Sequence, residues 1–504
     1  MVNINKVLIR SVLMLTYVVI IAILLFLVSA VLSFLNTGAD RSTILHTEVI
    51  KINQYLPKIT WKEDGNVGRY FDNQTLKSVE NDYLDAWYVK NIANKTNSKI
   101  GINDYYTESA RKNLFNFIEY NKKAKIFIEA TTLEHNLNIL FFSEDGQLMV
   151  LDDKNVIEYK KIFKDNKLVI ETTEISSYKI ILLLEDGFWR IRHLIKENTK
   201  NFDKSVPIKV NDSLDIKGIN YYPQANPWSM FGDAFNIKII EKDFEIIKKA
   251  NLNTIRIFIP YEGFGKAKVN ESKLNKLKQV LDLAEKNNLK VVVTLFDFYG
   301  NYDVLDWTLN QRHADVIVSM FKNHNAILAW DVKNEPNLDF DSRGKQNVIS
   351  WLEHMIILIK SIDKNHAVTI GWSNTNSADI LKDKLDFVSF HYYEDKNNFE
   401  EEYEKLKKLI PNKPIVLGEF GVSSYIGFWK PFGGSEKKQA TYYKEMQKVI
   451  TKNKIPFMSW TLYDFDKVPK EVVGRLPWRV YPQKKFGFIN NEGIKKPSFQ
   501  FISK

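Results

Sequence analysis

Eight short apolar runs alternate with helical patterns over the C-terminal part of the chain, about 300 residues. Between the runs, apolar residues recur at helical spacing, as at Leu274, Leu277 and Leu281. Eight strands joined by helical crossovers predict an α/β fold, a (β/α)8 TIM barrel. The alternative is a doubly wound open sheet, but no glycine-rich phosphate loop follows the first strand. The eight runs are LDIKGINYY, TIRIFI, KVVVTLF, AILAWDV, AVTIGW, FVSFHYY, PIVLGEF and PFMSWTLY.

An uncharged apolar run extends from Ser11 to Leu35, close to the N-terminus. It is long enough to span a bilayer, and Lys6 and Arg10 before it favour a cytoplasmic N-terminus. A cleaved signal peptide is the alternative, with a possible cleavage site at Val28 to Ala30, but the apolar run continues past that site. We therefore predict that residues 1–40 form a cytoplasmic stub and a single-pass membrane anchor, and that the rest is extracytoplasmic.

The composition excludes some classes of protein. The 504 residues include no cysteine, so disulfides, a thiol nucleophile and cysteine-ligated zinc are excluded. The net charge is +10, but lysine alternates with glutamate on helical stretches such as Glu401 to Leu409, a pattern typical of a solvated face. We expect no nucleic-acid partner. A basic exterior could favour anionic lipid or acidic polysaccharide, and the oligomeric state stays open.

Residues 41–205 have a different pattern, in which helices precede strands. After a connector over residues 41–72, apolar residues from Leu76 to Trp87 recur at helical spacing, and a second helix is predicted from Glu108 to Glu119. Six strand-like runs follow, and two of their joints are Asp145-Gly146 and Asp186-Gly187. Because Asp-Gly between apolar runs favours a hairpin, we predict an antiparallel sheet and an α+β domain.

That order of elements, ending in EDGFWRIRHL, resembles the nuclear-transport-factor-2-like fold, a cone of curved sheet packed against helices. The resemblance implies an accessory domain. His135 and His193 each stand alone in the sequence, so we expect a spacer or dimerisation module without catalysis. The polar stretch from Lys204 to Leu214 contains Pro207, and we place the start of the barrel domain there, over residues 206–504.

Polar and aromatic residues end several strands of the predicted barrel. Because the C-terminal strand ends of a TIM barrel form one mouth, we expect these residues to converge there. Cleavage of a glycosidic bond generally requires two carboxyl groups that face one cleft, as Glu335 and Glu419 would here. Either glutamate alone could instead belong to a surface ion pair. Closeness and partial burial would raise the pKa of one of them, so that it stays protonated. The residues are Arg256, Asn334-Glu335, His391 to Tyr393, Glu419 and Trp460.

The stretch AWDVKNEPN passes from an apolar strand directly into polar residues. Trp330 and Val332 are predicted to be core residues of the barrel wall. Pro336 offers no backbone donor and is expected to restrict Glu335 to extended conformations.

Asn334-Glu335-Pro336 after strand 4, together with Gly-Glu-Phe-Gly around Glu419 after strand 7, resembles the clan A glycoside hydrolases. Family 5, the cellulase and mannanase family, is the most similar family. The resemblance implies that Glu335 is the acid/base, that Asn334 binds the sugar 2-hydroxyl and that Glu419 is the nucleophile.

The same resemblance implies roles for the other residues at the mouth. Arg256 would hold Glu419 ionised. His391 and Tyr393 match the family's His-x-Tyr, with Tyr393 hydrogen-bonded to the nucleophile. Trp460 would be the platform beneath the sugar at the −1 subsite. All are substrate-site residues by this resemblance.

Two positions leave the substrate open. The third strand ends in Asp297 where many family 5 members carry histidine, which leaves the exact family and the sugar in doubt. Trp228, in the aromatic loop after strand 1, could stack on a sugar or pack beneath the loop. The histidines form no metal-binding motif, so we expect no metal and no cofactor.

We therefore predict a membrane-anchored, retaining β-glycosidase that hydrolyses O-glycosidic bonds of a polysaccharide or oligosaccharide, with its carboxyl groups about 5–5.5 Å apart. The alternatives are a catalytically idle sugar-binding or scaffold subunit of a polysaccharide assembly system, and a transglycosylase that uses the same residues. The sugar, its linkage and endo or exo action stay open.

Overall fold

The computed structural model contains two β-sheets and an apolar N-terminal helix. It describes residues 4–36, 55–62, 66–209, 214–429, 431 and 433–503. One sheet is open and has five strands, and the other is a closed barrel of eight. Residues 41–54 and 63–65 of the predicted connector lie outside the described residues.

Helix α1 spans Ile4–Asn36. Its segment Ser11–Ser29 has a mean hydropathy of 2.9 and is not covered by the rest of the chain. By length and composition this segment could cross a membrane, and a signal sequence near the N-terminus would have the same properties.

The open sheet and its helices form the accessory domain. Helix α2 begins after Asp72, whose side chain accepts a hydrogen bond from the Thr75 backbone at 2.7 Å. The apolar faces of the helices pack on the sheet in a separate core that includes Val79, Tyr83 and Trp87. The helices are α2 Asn73–Thr96, α3 Ile102–Tyr105 and α4 Glu108–Lys123, and the strands are β1 Lys58–Lys62, β2 Ile126–Phe142, β3 Leu148–Lys164, β4 Lys167–Glu185 and β5 Phe188–Asn201.

The sequence prediction for this sheet is confirmed in part. Both Asp-Gly hairpins form, and strands β2 to β5 are antiparallel. The six predicted strand-like runs form only four strands, β2 to β5. The number was wrong because β2 and β4 each continue through a polar stretch that separates two of the runs. A third hairpin turns at Asp165 and Asn166, both with positive φ, and strand β1 pairs in parallel with β2 within the predicted connector.

His135 does not stand alone, which corrects the prediction. Its Nδ1 lies 2.6 Å from Asp153 Oδ2, and its Nε2 lies 2.8 Å from Thr132 Oγ1. The Tyr83 hydroxyl donates to the same Asp153 oxygen at 2.7 Å. All of these groups are buried, so the network satisfies polar groups inside the accessory core.

The barrel prediction is confirmed. All eight strands are parallel, and β13 closes the barrel against β6, with Met458 beside Gly218. Trp330 and Val332 are fully buried, as predicted. The strands are β6 Lys217–Asn220, β7 Thr254–Pro260, β8 Lys290–Asp297, β9 Ile327–Asn334, β10 Ala367–Trp372, β11 Val388–Tyr392, β12 Ile415–Phe420 and β13 Phe457–Ser459.

Amphipathic helices surround the barrel. They are α5 Ile237–Lys249, α6 Glu271–Lys286, α7 Trp307–Phe321, α8 Phe340–Arg343, α9 Lys345–Ile362, α10 Phe399–Leu409, α11 Glu436–Asn453, α12 Lys470–Val473 and α13 Pro477–Gln483. Short 3-10 helices cover Val304–Asp306, Pro336–Asp339, Thr375–Ser377, Lys382–Lys384 and Pro497–Phe501.

The accessory domain packs against α7 and α9 of the barrel. The Tyr159 ring stacks on Trp307 with centroids 4.2 Å apart. Lys161 Nζ donates to Asn347 Oδ1 at 2.7 Å, and Gln311 donates to the Leu133 carbonyl at 3.3 Å. The two units therefore share an apolar and polar interface. The division into residues 1–40, 41–205 and 206–504 stays a prediction.

Candidate active site

Two glutamates meet at the C-terminal end of the barrel. Glu335 directly follows β9, and Glu419 is the second-last residue of β12. One carboxylate oxygen of each lies within 4.8 Å of the other and of one nitrogen of His391. This separation leaves no room for a water between a sugar carbon and the attacking carboxylate. It is shorter than the roughly 6.5–9.5 Å between the carboxyl groups of inverting glycosidases, in which one carboxylate activates a water.

The backbone of Glu335 is left-handed, with φ 46° and ψ 48°, so the prediction of an extended conformation is wrong. The residue after it is proline, which disfavours the right-handed helical region but leaves this one open. The Glu335 N–H donates to the Gly371 carbonyl at 2.8 Å and fixes the turn. A non-glycine residue held here costs about 1–3 kcal/mol, and the turn points the carboxylate into the mouth.

Arg256 occupies the centre of the site and is 1% exposed. Its Nη1 donates to Glu419 Oε1 at 2.5 Å, and its Nη2 donates to Asp331 Oδ2 at 2.6 Å and to Asn334 Oδ1 at 2.8 Å. Burial lowers the pKa of Arg256, but the charges of Asp331 and Glu419 outweigh it and raise that pKa above its ordinary value. A permanent cation therefore neutralises the buried Glu419 carboxylate.

Asp331 was missed by the sequence analysis. It is 1% exposed, and besides Arg256 it accepts from Thr294 Oγ1 at 2.7 Å and from the Gly371 N–H at 3.0 Å. The signal was available, because Asp331 is the one charged residue within the apolar run AILAWDV. A charge inside a buried strand requires a partner.

His391 is fully buried beneath the glutamates. Its Nδ1 lies 2.8 Å from Glu335 Oε1 and 3.5 Å from Glu419 Oε2. Gly371 makes room for it, since a Cβ there would lie 3.0 Å from His391 Nε2 and 2.9 Å from Arg256 Nη2. His391 and Arg256 therefore contact the carboxylates from below, and Arg256 contacts Glu419, the residue that the sequence analysis expected it to hold.

The pKa of Glu335 differs from the sequence expectation. Burial raises this pKa, but the hydrogen bond from His391 and the positive charges of His391, Arg256 and Lys333 outweigh burial and hold it below its ordinary value. The expectation that closeness to Glu419 would raise the pKa of the acid is therefore wrong for the free protein.

Tyr393 and two tryptophans complete the upper part of the site. The Tyr393 hydroxyl donates to Glu419 Oε2 at 2.9 Å, which places it where the sequence analysis expected. Trp460 lines a cleft of about 600 Å³ above the glutamates. Trp228 also lines the cleft but is 9% exposed and packs on Trp460 and Phe465, so most of its ring serves packing.

The third strand contributes a carboxyl group with a perturbed pKa. Burial raises the pKa of Asp297 to about 6, against the opposing charges of Lys333 and Arg256. The Tyr222 hydroxyl lies 3.4 Å from Asp297 Oδ2. Lys333, which the sequence analysis missed, lies 3.3 Å from Asp339 Oδ2, and both it and Asp297 line the cleft.

Glu335, His391 and Glu419 are spaced closely enough to hold a metal ion. The donor set suits a cation poorly, because the Arg256 guanidinium already lies 2.5 Å from the Glu419 carboxylate and repels a second positive charge. These groups are better arranged to exchange protons and to attack carbon.

Known proteins resemble parts of this chain. The family model of cellulase (glycosyl hydrolase family 5) matches residues 214–466. Mannan endo-1,4-beta-mannosidase A of Emericella nidulans is 24% identical over 261 residues, covering 40% of this chain and 67% of that protein. A beta-glucuronidase of Chlorocebus aethiops is 22% identical over 306 residues, covering 56% of this chain and 42% of that one. The chain thus spans about two thirds of the first relative and less than half of the second.

Among solved structures, the exo-beta-1,4-mannosidase Op5Man5 from Opitutaceae bacterium strain TAV5 aligns with a TM-score of 0.46 and 15% sequence identity. The alignment covers 57% of this chain and 58% of that one.

Proposed function

This chain belongs to the cellulase family, glycosyl hydrolase family 5, and on that premise we propose that it is a retaining glycosidase acting on β-linked glycans. The observation that carries the proposal is the pair Glu335 and Glu419, with oxygens within 4.8 Å of each other and with different partners. Arg256 donates a hydrogen bond to Glu419, the proposed nucleophile, while His391 contacts Glu335, the proposed acid/base.

In the first step, Glu419 attacks the anomeric carbon and forms an ester with it. The bond from that carbon to the leaving oxygen breaks, and Glu335 delivers a proton to the oxygen. His391 Nδ1 lies 2.8 Å from Glu335 Oε1, so it contacts the carboxyl group that would deliver this proton. The negative charge of Glu419 is lost in the ester.

In the second step, Glu335 is ionised and takes a proton from water, whose oxygen attacks the anomeric carbon and releases Glu419. Two inversions at that carbon give net retention of configuration. If a sugar hydroxyl attacks in place of water, the same residues perform transglycosylation.

Asn334 is oriented to hold the sugar. Its Oδ1 accepts from Arg256 Nη2 at 2.8 Å, which assigns the oxygen of the amide and leaves the Nδ2 group as a donor in the cleft. Such a donor suits a hydroxyl oxygen next to the reacting carbon. Trp460 offers an apolar ring face to the sugar on the same side of the barrel.

A β-mannan is the first substrate to examine, since several relatives carry the name mannan endo-1,4-beta-mannosidase, and glucuronides are the second. We further propose that α1 anchors the barrel outside the cytoplasm, which would give the site access to polysaccharide. The uncharged segment Ser11–Ser29 supports this proposal.

A test combines a panel of β-linked polysaccharides and aryl glycosides with three variants. Glu419→Ala should abolish turnover, and added azide should give a glycosyl azide of inverted configuration. Glu335→Ala should still be glycosylated by substrates whose leaving group needs no proton, and azide should then release a product of retained configuration. Glu394→Gln, exposed just beyond β11, is the matched control and should keep full activity. Sugar binding without turnover by the wild-type protein would favour the idle scaffold instead.

A further inference from the structure

The accessory domain contains a cavity of about 620 Å³, in the size range of small-molecule sites. Side chains of helices α2 and α4 and of strands β2 to β5 line it. We call it the accessory cavity. It lies outside the catalytic site and shares none of its lining residues with the cleft above the glutamates.

One part of the accessory cavity is apolar. The side chains there come from α4, β2, β3 and β5, so the apolar surface surrounds the space on several sides. A hydrated sugar would bury little apolar surface against this wall. An apolar ring or a short aliphatic chain would bury more. Representative residues of this wall are Leu114, Phe117, Ile128, Ile162 and Ile195.

Two residues that line the cavity each have a buried polar group without a partner among the described residues. The Asn91 Nδ2 group and the Thr131 Oγ1 hydroxyl make no hydrogen bond to the part of the chain that the structure describes. These residues are only 3% and 1% exposed. Leaving a buried donor unsatisfied is costly, so both groups are suited to a ligand that brings acceptor oxygens.

The charges around the cavity are mostly positive. Lys90, Lys160, Arg192 and Lys196 line it, against the single carboxylate of Glu158. Lys160 lies 3.1 Å and Lys196 3.6 Å from Glu158, and both also pair with Glu174 just outside the cavity. Two of the four positive charges, those of Lys90 and Arg192, therefore form no ion pair with a carboxylate of the described residues.

Lys90 directly precedes Asn91 on helix α2. Its Nζ lies 4.0 Å from the centre of the Trp87 ring. Burial lowers the pKa of Lys90 to about 8, and the nearby Glu158 charge compensates only in part. An anion placed against Lys90 would stabilise the charged form of its side chain, which burial disfavours.

We propose that the accessory cavity binds a small amphiphilic anion, whose apolar ring or short chain packs on the apolar wall and whose single acidic group lies against Lys90, Asn91 and Thr131. The proposal concerns a site apart from the barrel and does not depend on the proposed glycosidase activity. It replaces the expectation of an inert spacer with a binding domain.

The test uses the full chain in lipid nanodiscs and three probes with one common body: naphthalene-2-sulfonate, naphthalene-2-methanol and 2-naphthylmethylammonium. Isothermal titration calorimetry is run against each probe, and empty nanodiscs provide the reference. We expect the sulfonate to bind about tenfold or more tightly than the alcohol, because a charge-assisted hydrogen bond is worth at least that factor. The ammonium probe should bind least.

Three variants locate the binding. Lys90→Met keeps the length of the side chain and should remove the preference for the sulfonate over the alcohol. Ala130→Leu fills the cavity and should weaken all three probes, while Lys122→Met on the exposed face of α4 is the matched control and should change nothing. Equal binding of the three probes, no effect of Lys90→Met and Ala130→Leu in folded protein, or no signal above empty nanodiscs would each overturn the proposal. Circular dichroism and thermal unfolding establish that each variant is folded.

Discussion

Arg256 Nη2 and Nε lie 2.6 and 3.0 Å from the same oxygen of Asp331, so a carboxylate inside the barrel wall orients the guanidinium that binds Glu419. The two charges are 1% exposed, and neither touches the cleft. Asp331 is thus a positioning residue that acts on the nucleophile through Arg256.

Asp331→Asn keeps the shape of the side chain and removes its charge. Arg256 loses two charge-assisted hydrogen bonds, and we expect kcat/KM to fall about 10- to 100-fold, mostly through kcat, with KM little changed. Steady-state kinetics on an aryl glycoside measure this. Asp315→Asn, on an exposed turn of α7, is the control. A variant with normal kcat but a lowered melting temperature would show that Asp331 serves folding alone.

His391→Leu tests the cause of the low pKa of Glu335. The variant removes the hydrogen bond and the positive charge of His391 while burial remains, and burial by itself raises the pKa of a carboxyl. The pKa of Glu335 should therefore rise above its wild-type value, and the protonated form should persist to higher pH. A titration followed by NMR of ¹³C-carboxyl glutamate, assigned with Glu335→Gln, measures it. An unchanged or lower pKa would contradict the account.

Gly371→Ala should damage the site through sterics. The added Cβ would lie 2.9 Å from Arg256 Nη2 and 3.0 Å from His391 Nε2, closer than ordinary contacts allow. Overpacking of this kind costs about 1–3 kcal/mol of unfolding free energy, and activity should fall with it. Gly300→Ala has open space around its Cβ and is the matched control in urea unfolding experiments. Equal unfolding free energies for the two variants would refute the packing argument.

The membrane anchor has a direct test. If α1 is retained, the mature protein begins at the N-terminus of the sequence and stays in the membrane fraction after alkaline carbonate extraction. Mass spectrometry of the purified N-terminus distinguishes this from a signal peptide, for which the mature chain would start near Val31.

The sequence predicted the site residues that lie at strand ends. Glu335 and Glu419 end strands, and the geometry of a parallel barrel brings strand ends together. The pairing of Arg256 with Asp331 was missed because Asp331 lies within its strand and not at the strand end, and only the folded barrel brings it against Arg256. The pKa of Glu335 was misjudged for the same reason, since it is set by His391 below it.

In the accessory domain, Asp-Gly at two turns is a local signal and predicted both hairpins. The turn at Asp165-Asn166 was missed because it lacks glycine, although asparagine and aspartate tolerate positive φ. The accessory cavity had no local signal, because its wall combines side chains of two helices and four strands.

The stereochemistry of the first product tests the central claim most directly. With wild-type protein and a β-glycoside, ¹H NMR within the first minutes should show the released sugar in the β configuration, which later equilibrates to the α form. This result follows from oxygens of Glu335 and Glu419 within 4.8 Å of each other, which leave no room for a water opposite the leaving group. Initial release of the α sugar would contradict the double displacement and the role of Glu419 as nucleophile.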